Sequence, residues 1–366
     1  MAEQNKGPDL GQVRQRIDAL DDHILKLISE RAALAQKVMA AKGEVASSAE
    51  YYRPEREAQV LRRLTEGNPG PLSDAEIRRL FREIMSACLA QQEPLKIAFL
   101  GPEGTFTQQA VYQHFGHSIR ALPWASIEEV FAEVEAGHAD FGVVPVENST
   151  EGAVNHTLDM FAVSPLKICG EVEMRIHHHL LGITPSLAGI TRVYSHQQSL
   201  AQCRGFLREH LPDAKRIAVS SNAEAARAVR DLPDAAALSG QAAAEVYGLP
   251  VIVENIEDSP DNTTRFLVIG RKLFAPSGHD KTSLLISAHD HPGALYKLLE
   301  PFNRCGVSMT RIESRPSRKG RWRYMFFVDV LGHADDAGLA EALRMLEPEA
   351  SLLRVLGSYP LAVGTS

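Results

Sequence analysis

Between Val13 and Val38 the apolar residues recur in steps of four and three: Val13, Ile17, Leu20, Ile24, Leu27, Leu34 and Val38. That spacing is a coiled-coil seam. Carried on to Lys42, the helix would run about 45 Å, too long for a compact monomeric domain of this size. Two chains sharing one helical core would accommodate it. The position the series skips is Arg31. A guanidinium in an apolar seam costs several kcal/mol unless an anion meets it. Lys42 follows about three turns later on nearly the same face. Arg14 points about 100° away from that face and would reach into the partner chain's site. The plainer reading is a solvated basic face on which Arg31 sets the register.

A second helix opens near Arg53-Pro54-Glu55, with Pro54 suited to its first turn. Glu57 shares a face with Val60, Leu61 and Leu64, so a carboxylate also sits in an apolar stripe. Gly67–Leu72 is a turn, and Ser73–Glu76 is a capping box for a third helix. Its stripe runs from Ile77 through Cys88 and ends on Gln92. Three helices whose apolar faces hold Arg31, Lys42, Glu57 and Gln92 resemble the all-helical chorismate mutases. The resemblance implies a catalytic set of Arg14, Arg31, Lys42, Glu57 and Gln92, substrate contacts from Arg53 and Cys88, and Arg56 beside them. That family often has aspartate at the Arg53 position and serine at the Cys88 position. The implied reaction is an intramolecular pericyclic shift of a dianion, which needs no nucleophile, metal or cofactor. Cations would hold the carboxylates. Lys42 and Gln92 would donate to the ether oxygen, and Glu57 would accept from the ring hydroxyl.

Phe141–Val146 is an apolar run that reads as a buried strand. It stops at Glu147-Asn148-Ser149-Thr150, and a helical pattern follows Gly152. Strands that end in a polar loop before a helix are where open α/β sheets place ligands. An ordinary connection with capping residues would read the same way. Three further stretches have related grammar: Gly101–Thr107, Val193–Cys203 and Asn262–Ile269. The GPEGTF, PVENS, YSHQQ and TRF motifs together resemble the prephenate dehydratase family, with Gln197 where proline is usual. The family's fold is a two-lobed α/β domain like the periplasmic binding proteins, with its site between the lobes.

The implied reaction is decarboxylative dehydration of prephenate to phenylpyruvate. The resemblance makes Thr264 the essential hydroxyl, with His178 or Glu147 as a relay. Asn148, Ser149, Ser195 and Gln202 would orient the substrate. Thr105, with Thr107, would hold the side-chain carboxylate. Arg265 would pair with a carboxylate or brace its strand, and bracing is favoured. His177-His178-His179 reads as one functional histidine in a chance run, since neighbours on a strand face opposite ways. No metal site is expected.

From Thr282 to Tyr359 the pattern is βαββαβ, which suits a ferredoxin-like domain. It resembles the ACT modules of phenylalanine-sensitive enzymes. The matching motifs are Gly293-Ala294-Leu295, followed by Tyr296 where valine is usual, and Glu313-Ser314-Arg315-Pro316. The resemblance implies a regulatory phenylalanine site on Gly293, Ala294, Leu295, Glu313, Ser314 and Arg315.

The expected architecture is therefore multidomain: all-α residues 1–93, two-lobed α/β residues 94–272 and α+β residues 280–360. The three resemblances occur in the order of the bifunctional chorismate mutase/prephenate dehydratases, feedback-inhibited by phenylalanine. The alternatives are a non-catalytic amino-acid sensor and a dehydratase preferring arogenate. The net charge of −7 argues against nucleic acid as a partner. No apolar run approaches the roughly 20 residues needed to span a bilayer. The N-terminus is polar, and the four cysteines lack metal or disulfide spacing, which fits a cytoplasmic homodimer or larger homo-oligomer. Removing residues from about Lys281 onward is expected to leave an active dehydratase that ignores phenylalanine.

Overall fold

A computed structural model describes residues 9–41, 51–91, 93–150, 152–289, 291–316 and 324–362. The first element, α1 (Leu10–Ala41), is a single 32-residue helix. Its apolar seam is bare: Leu20 is 54% exposed and Leu27 50%. Among its described side chains only Arg31, Ala32 and Ala35 are half-buried. Helix α2 (Pro54–Glu66) carries Pro54 in its first turn. Helix α3 (Asp74–Leu89) is capped by Ser73, whose hydroxyl accepts from the Glu76 amide at 3.2 Å. Just before α2, Tyr52 is buried against Phe115 and Phe141, which belong to the next domain.

The α/β part begins with β1 (Lys96–Leu100), β2 (Arg120–Trp124), β3 (Phe141–Asn148), the short β4 (Gly152–Ala153) and β5 (Lys167–Arg175). The chain then crosses into a second lobe built on β6 (His179–Leu181), β7 (Arg192–His196), β8 (Lys215–Val219), β9 (Ala235–Ser239) and β10 (Val251–Val253). It returns as β11 (Thr263–Gly270). The first sheet has the order β2-β1-β3-β11-β5, and the second β10-β6-β9-β7-β8. Two chain crossings thus join two sheets, which is the two-lobed α/β arrangement. Strand β3 is buried along most of its length, so its apolar run needs no alternation. Strands β5 and β6 are separated by Ile176–His178, which forms one of the crossings. After β7 the chain forms two helices, Gln197–Gln202 and Arg204–His210, broken at the buried Cys203.

The C-terminal sheet comprises β12 (Asp280–Ala288), β13 (Met309–Pro316), β14 (Tyr324–Leu331) and β15 (Ala350–Pro360), in the order β13-β14-β12-β15. Leu298 and Leu339, from its two helices, pack in one core with Leu284 and Val328 of the sheet. Leu285, Phe327, Leu356 and Tyr359 share another apolar core with Leu166, Ile168 and Leu267 of the first lobe. Strand β15 crosses β5 so closely that a Cβ on Gly357 would lie 2.0 Å from the Ile168 carbonyl oxygen.

Candidate active sites

A cleft of about 1120 Å³ lies between the two lobes. The first lobe contributes the loop Gly101–Thr107, Trp124, Asn148 and Thr264, and the second His196, Ser199, Gln202 and Asn222. Antiparallel pairing sets Thr264 of β11 opposite Asn148 of β3. The Asn148 amide donates to the Thr264 hydroxyl oxygen at 2.8 Å and to the Asn262 side-chain oxygen at 2.9 Å. Asn262 donates in turn to Gln202 Oε1 at 3.1 Å, and His178 Nε2 lies 2.9 Å from the same oxygen. Four amide and imidazole groups therefore lead away from Thr264 in one hydrogen-bonded line. Because the Thr264 oxygen accepts from Asn148, its own proton is free to be donated into the cleft. His178 is buried against Phe106, and burial pushes its pKa down, so the ring is neutral.

The Gly101–Thr107 loop ends in the helix Phe106–Phe115, whose first amides open on the cleft and suit a carboxylate. Thr105 caps that helix and donates to the Leu100 carbonyl at 3.2 Å. Gly104 takes φ +83°, and a Cβ there would meet Ala243 and Tyr247 of the opposite lobe at 3.1 Å. Only glycine allows that approach.

Several expected cleft residues face elsewhere. Glu147 pairs with Arg311 of β13 at 2.8 Å. Arg265 is buried beneath the C-terminal sheet, paired with Glu171 at 2.9 Å and Asp329 at 2.6 Å. It braces rather than binds. The Ser149 hydroxyl accepts from the Thr263 amide at 3.0 Å and ties β3 to β11. Ser195 is wholly buried, its hydroxyl 2.9 Å from both the Leu238 carbonyl and the Asn222 oxygen. Strand alternation accounts for the first two, since residues next to Asn148 and Thr264 must point away from the cleft. The sequence reading passed over Asn222, which lines the cleft and accepts from the His196 amide at 3.1 Å. Its signal was present: Ser220-Ser221-Asn222 is another polar strand-to-helix loop. The three consecutive histidines diverge, with His177 on Glu257 at 2.8 Å and His179 accepting from the Asn255 amide at 3.1 Å. Among the described residues no group of His, Cys, Asp or Glu is placed to hold a metal.

A second cavity, of about 470 Å³, lies among the N-terminal helices. Arg31, Arg53, Arg56 and Arg63 surround it with Glu57, a cationic lining suited to a dianion. Glu57 pairs with Arg82 at 3.3 Å. Burial pushes its pKa up, and Arg82 partly offsets that rise. Cys88 is buried and does not line the cavity, whereas Ser86 on the same helix does. Arg14 is exposed and absent from the lining. It lies about 25 Å along α1 from Arg31, too far to serve the same cavity. Lys42 and Gln92 lie outside the described residues.

Residues 13–93 match the chorismate mutase type II family, residues 97–273 the prephenate dehydratase family and residues 282–347 the ACT domain family. A bifunctional chorismate mutase/prephenate dehydratase of Stutzerimonas stutzeri is 55% identical over 363 residues, covering 98% of this chain and 100% of that protein. The chain belongs to that bifunctional family. Among solved structures, prephenate dehydratase from Arthrobacter aurescens in complex with L-Phe is 38% identical, with a TM-score of 0.68 over 73% of this chain and 90% of that one. A protein described as a novel type of quorum quenching acylase, GqqA, is 33% identical, with a TM-score of 0.68 over 73% of this chain and 98% of that one.

In the ACT module Gly293 has φ +78°, which only glycine adopts without strain, just before the helix Ala294–Arg304. Leu295 is 41% exposed beside that helix start. In the second motif, Ser314 faces solvent, while Arg315 pairs with Asp159 of the first lobe at 2.8 Å and Glu313 lies 3.9 Å from Arg311. Arg315 is therefore committed to the dehydratase side, while Glu313 pairs within its own strand.

Proposed function

We propose that this chain rearranges chorismate to prephenate among the helices of residues 1–93. Residues 94–272 then convert prephenate to phenylpyruvate, and residues 280–360 bring inhibition by phenylalanine. The observation that carries the dehydratase reading is the Thr264–Asn148–Asn262–Gln202–His178 line opening on the cleft. In the reaction the bond to the ring carboxylate breaks and its electron pair enters the ring. The hydroxyl takes up one proton from solvent in the cleft and leaves as water, so carbon dioxide and water depart together. Thr264 donates the hydrogen bond to the leaving oxygen, and the amide line fixes its direction. A neutral His178 contributes orientation rather than positive charge. The helix start at Phe106 holds the side-chain carboxylate. In the helical cavity Arg31, Arg53 and Arg56 hold the carboxylates of chorismate in the folded conformer, and Glu57 accepts from its hydroxyl. Catalysis there is positioning plus charge stabilisation.

The bare seam of α1 supports a homodimer in which Arg14 of each chain completes the partner's mutase site. Among the described residues no helix is long and apolar enough to cross a membrane. A cytoplasmic enzyme without cofactor fits these features. A sensor without catalysis leaves the four arginines about Glu57 and the Thr264 line unexplained. Purified protein given chorismate should form prephenate and then phenylpyruvate, followed by chromatography. Absence of phenylpyruvate from added prephenate would exclude the dehydratase reading, and preference for arogenate would redirect it.

A further inference from the structure

Strands β3 and β11 set two cross-strand pairs side by side, Asn148 with Thr264 and Glu147 with Arg265. The first pair lines the cleft. The second points the other way, into the ACT module. Glu147 meets Arg311 of β13 at 2.8 Å. Arg265 donates to Asp329 of β14 at 2.6 Å and to the Tyr359 hydroxyl of β15 at 3.0 Å. Ser283 of β12 donates to Asp329 at 2.5 Å, and Lys281 reaches Glu171, which shares Arg265, at 2.8 Å. Three strands of the module thus touch the two residues that flank the Asn148–Thr264 pair, and β12 reaches Arg265 through Asp329 and Glu171.

Resting on the dehydratase reading, we propose that Glu147 and Arg265 are positioning residues that tie the aim of Asn148 and Thr264 to the placement of the ACT sheet. An unpaired buried charge is costly, so strand and module move together rather than separate. The link is one residue long on each strand. A displacement of β13 or β14 therefore reaches the cleft without passing through either lobe's core. Phenylalanine that shifts the module acts on the Thr264 hydroxyl by this route.

The Glu147–Arg311 contact is the one to cut, because Glu147 is 37% exposed and tolerates loss of its partner. The measurement uses the full-length chain. It records prephenate turnover with and without saturating phenylalanine, calorimetric phenylalanine binding, and chorismate turnover as a check on folding. Arg311→Ala and Glu147→Gln should each lower kcat for prephenate about threefold or more with KM nearly unchanged. Each should also shrink, about fivefold or more, the factor by which phenylalanine lowers kcat/KM. Phenylalanine binding and chorismate turnover should persist. The double variant should be no worse than either single one, since both remove one contact. Arg354→Ala serves as a control: Arg354 joins the module to the carbonyls of Ala162 and Ser164, away from β3 and β11. It should leave kcat and the phenylalanine factor at parental values. Parental kcat and factor in both Glu147→Gln and Arg311→Ala overturn the proposal, as does an equal loss in Arg354→Ala. A parent that does not turn over prephenate refutes the dehydratase assignment instead.

Discussion

Thr264 is half-buried and receives a hydrogen bond from Asn148, yet it packs no core. Thr264→Ala should therefore keep the fold and lower dehydratase turnover by about 10²–10³, the usual cost of one transition-state donor. Prephenate should accumulate from chorismate, and unchanged turnover of added prephenate would remove Thr264 from the chemistry. His114 is informative for a different reason. Burial, and then the Arg82 charge, push its pKa down to about 3. Burial lifts the pKa of Tyr52, so that phenol keeps its proton, and its oxygen lies 3.0 Å from His114 Nε2. As pH falls below 6.5 the unfolded chain takes up a proton at His114 and the folded chain does not. The stability tied to this neutral ring is complete above pH 6.5 and is lost toward pH 3, at about 1.4 kcal/mol per pH unit. In denaturant titrations, the advantage of the parent over His114→Gln should shrink between pH 7 and pH 5. A gap independent of pH would contradict the neutral assignment.

Helix α1 is the element that makes least sense alone. Its seam is exposed along most of its length, and Arg14 and Arg31 lie too far apart for one cavity. If Arg14 serves the partner, Arg14→Ala and Arg31→Ala chains should each lack mutase activity. Mixed after co-unfolding and refolding, they should recover about a quarter of parental activity, because each mixed dimer holds one intact site. No recovery would place both arginines in one site or neither. This element was legible in the sequence, because a 4-3 spacing over about seven turns admits few alternatives. The strand ends were legible too: the loops after β1, β3 and β7, and the start of β11, all face the cleft. What was not legible is which side of a strand another domain covers. Alternation says that Glu147 and Arg265 oppose Asn148 and Thr264. Only the docking of the ACT sheet says that the opposite side is occupied. Ser149 and Ser195 face elsewhere for a related reason, since a hydroxyl at a strand end serves neighbouring backbone as readily as a ligand.

At the scale of the whole molecule, the apolar clusters sort into private and shared ones. The second lobe holds two cores of its own, and the ACT module holds one. The first lobe has a core joined by Tyr52 and, at its edge, Leu89 from the helical region. One cluster is common to the first lobe and the module, and the buried Arg265 network lies at the same junction. A chain ending before Lys281 therefore keeps the private cores of both lobes and loses the module's share of the common cluster. It should turn over prephenate, ignore phenylalanine, and melt at a lower temperature than the full chain. Gly357→Ala tests the junction without removing it. Its Cβ would stand 2.0 Å from the Ile168 carbonyl oxygen and 2.8 Å from the Ile168 amide nitrogen, atoms that no rotamer change can move. Strand β15 must then lift from β5, at a cost of about 1–3 kcal/mol or more. The ACT core stays intact, so phenylalanine should still bind, with calorimetric heat near the parental value. Its effect on prephenate turnover should fall toward that of the truncated chain. Parental inhibition by phenylalanine in a folded Gly357→Ala protein would show that the close crossing of β15 over β5 is not needed for communication.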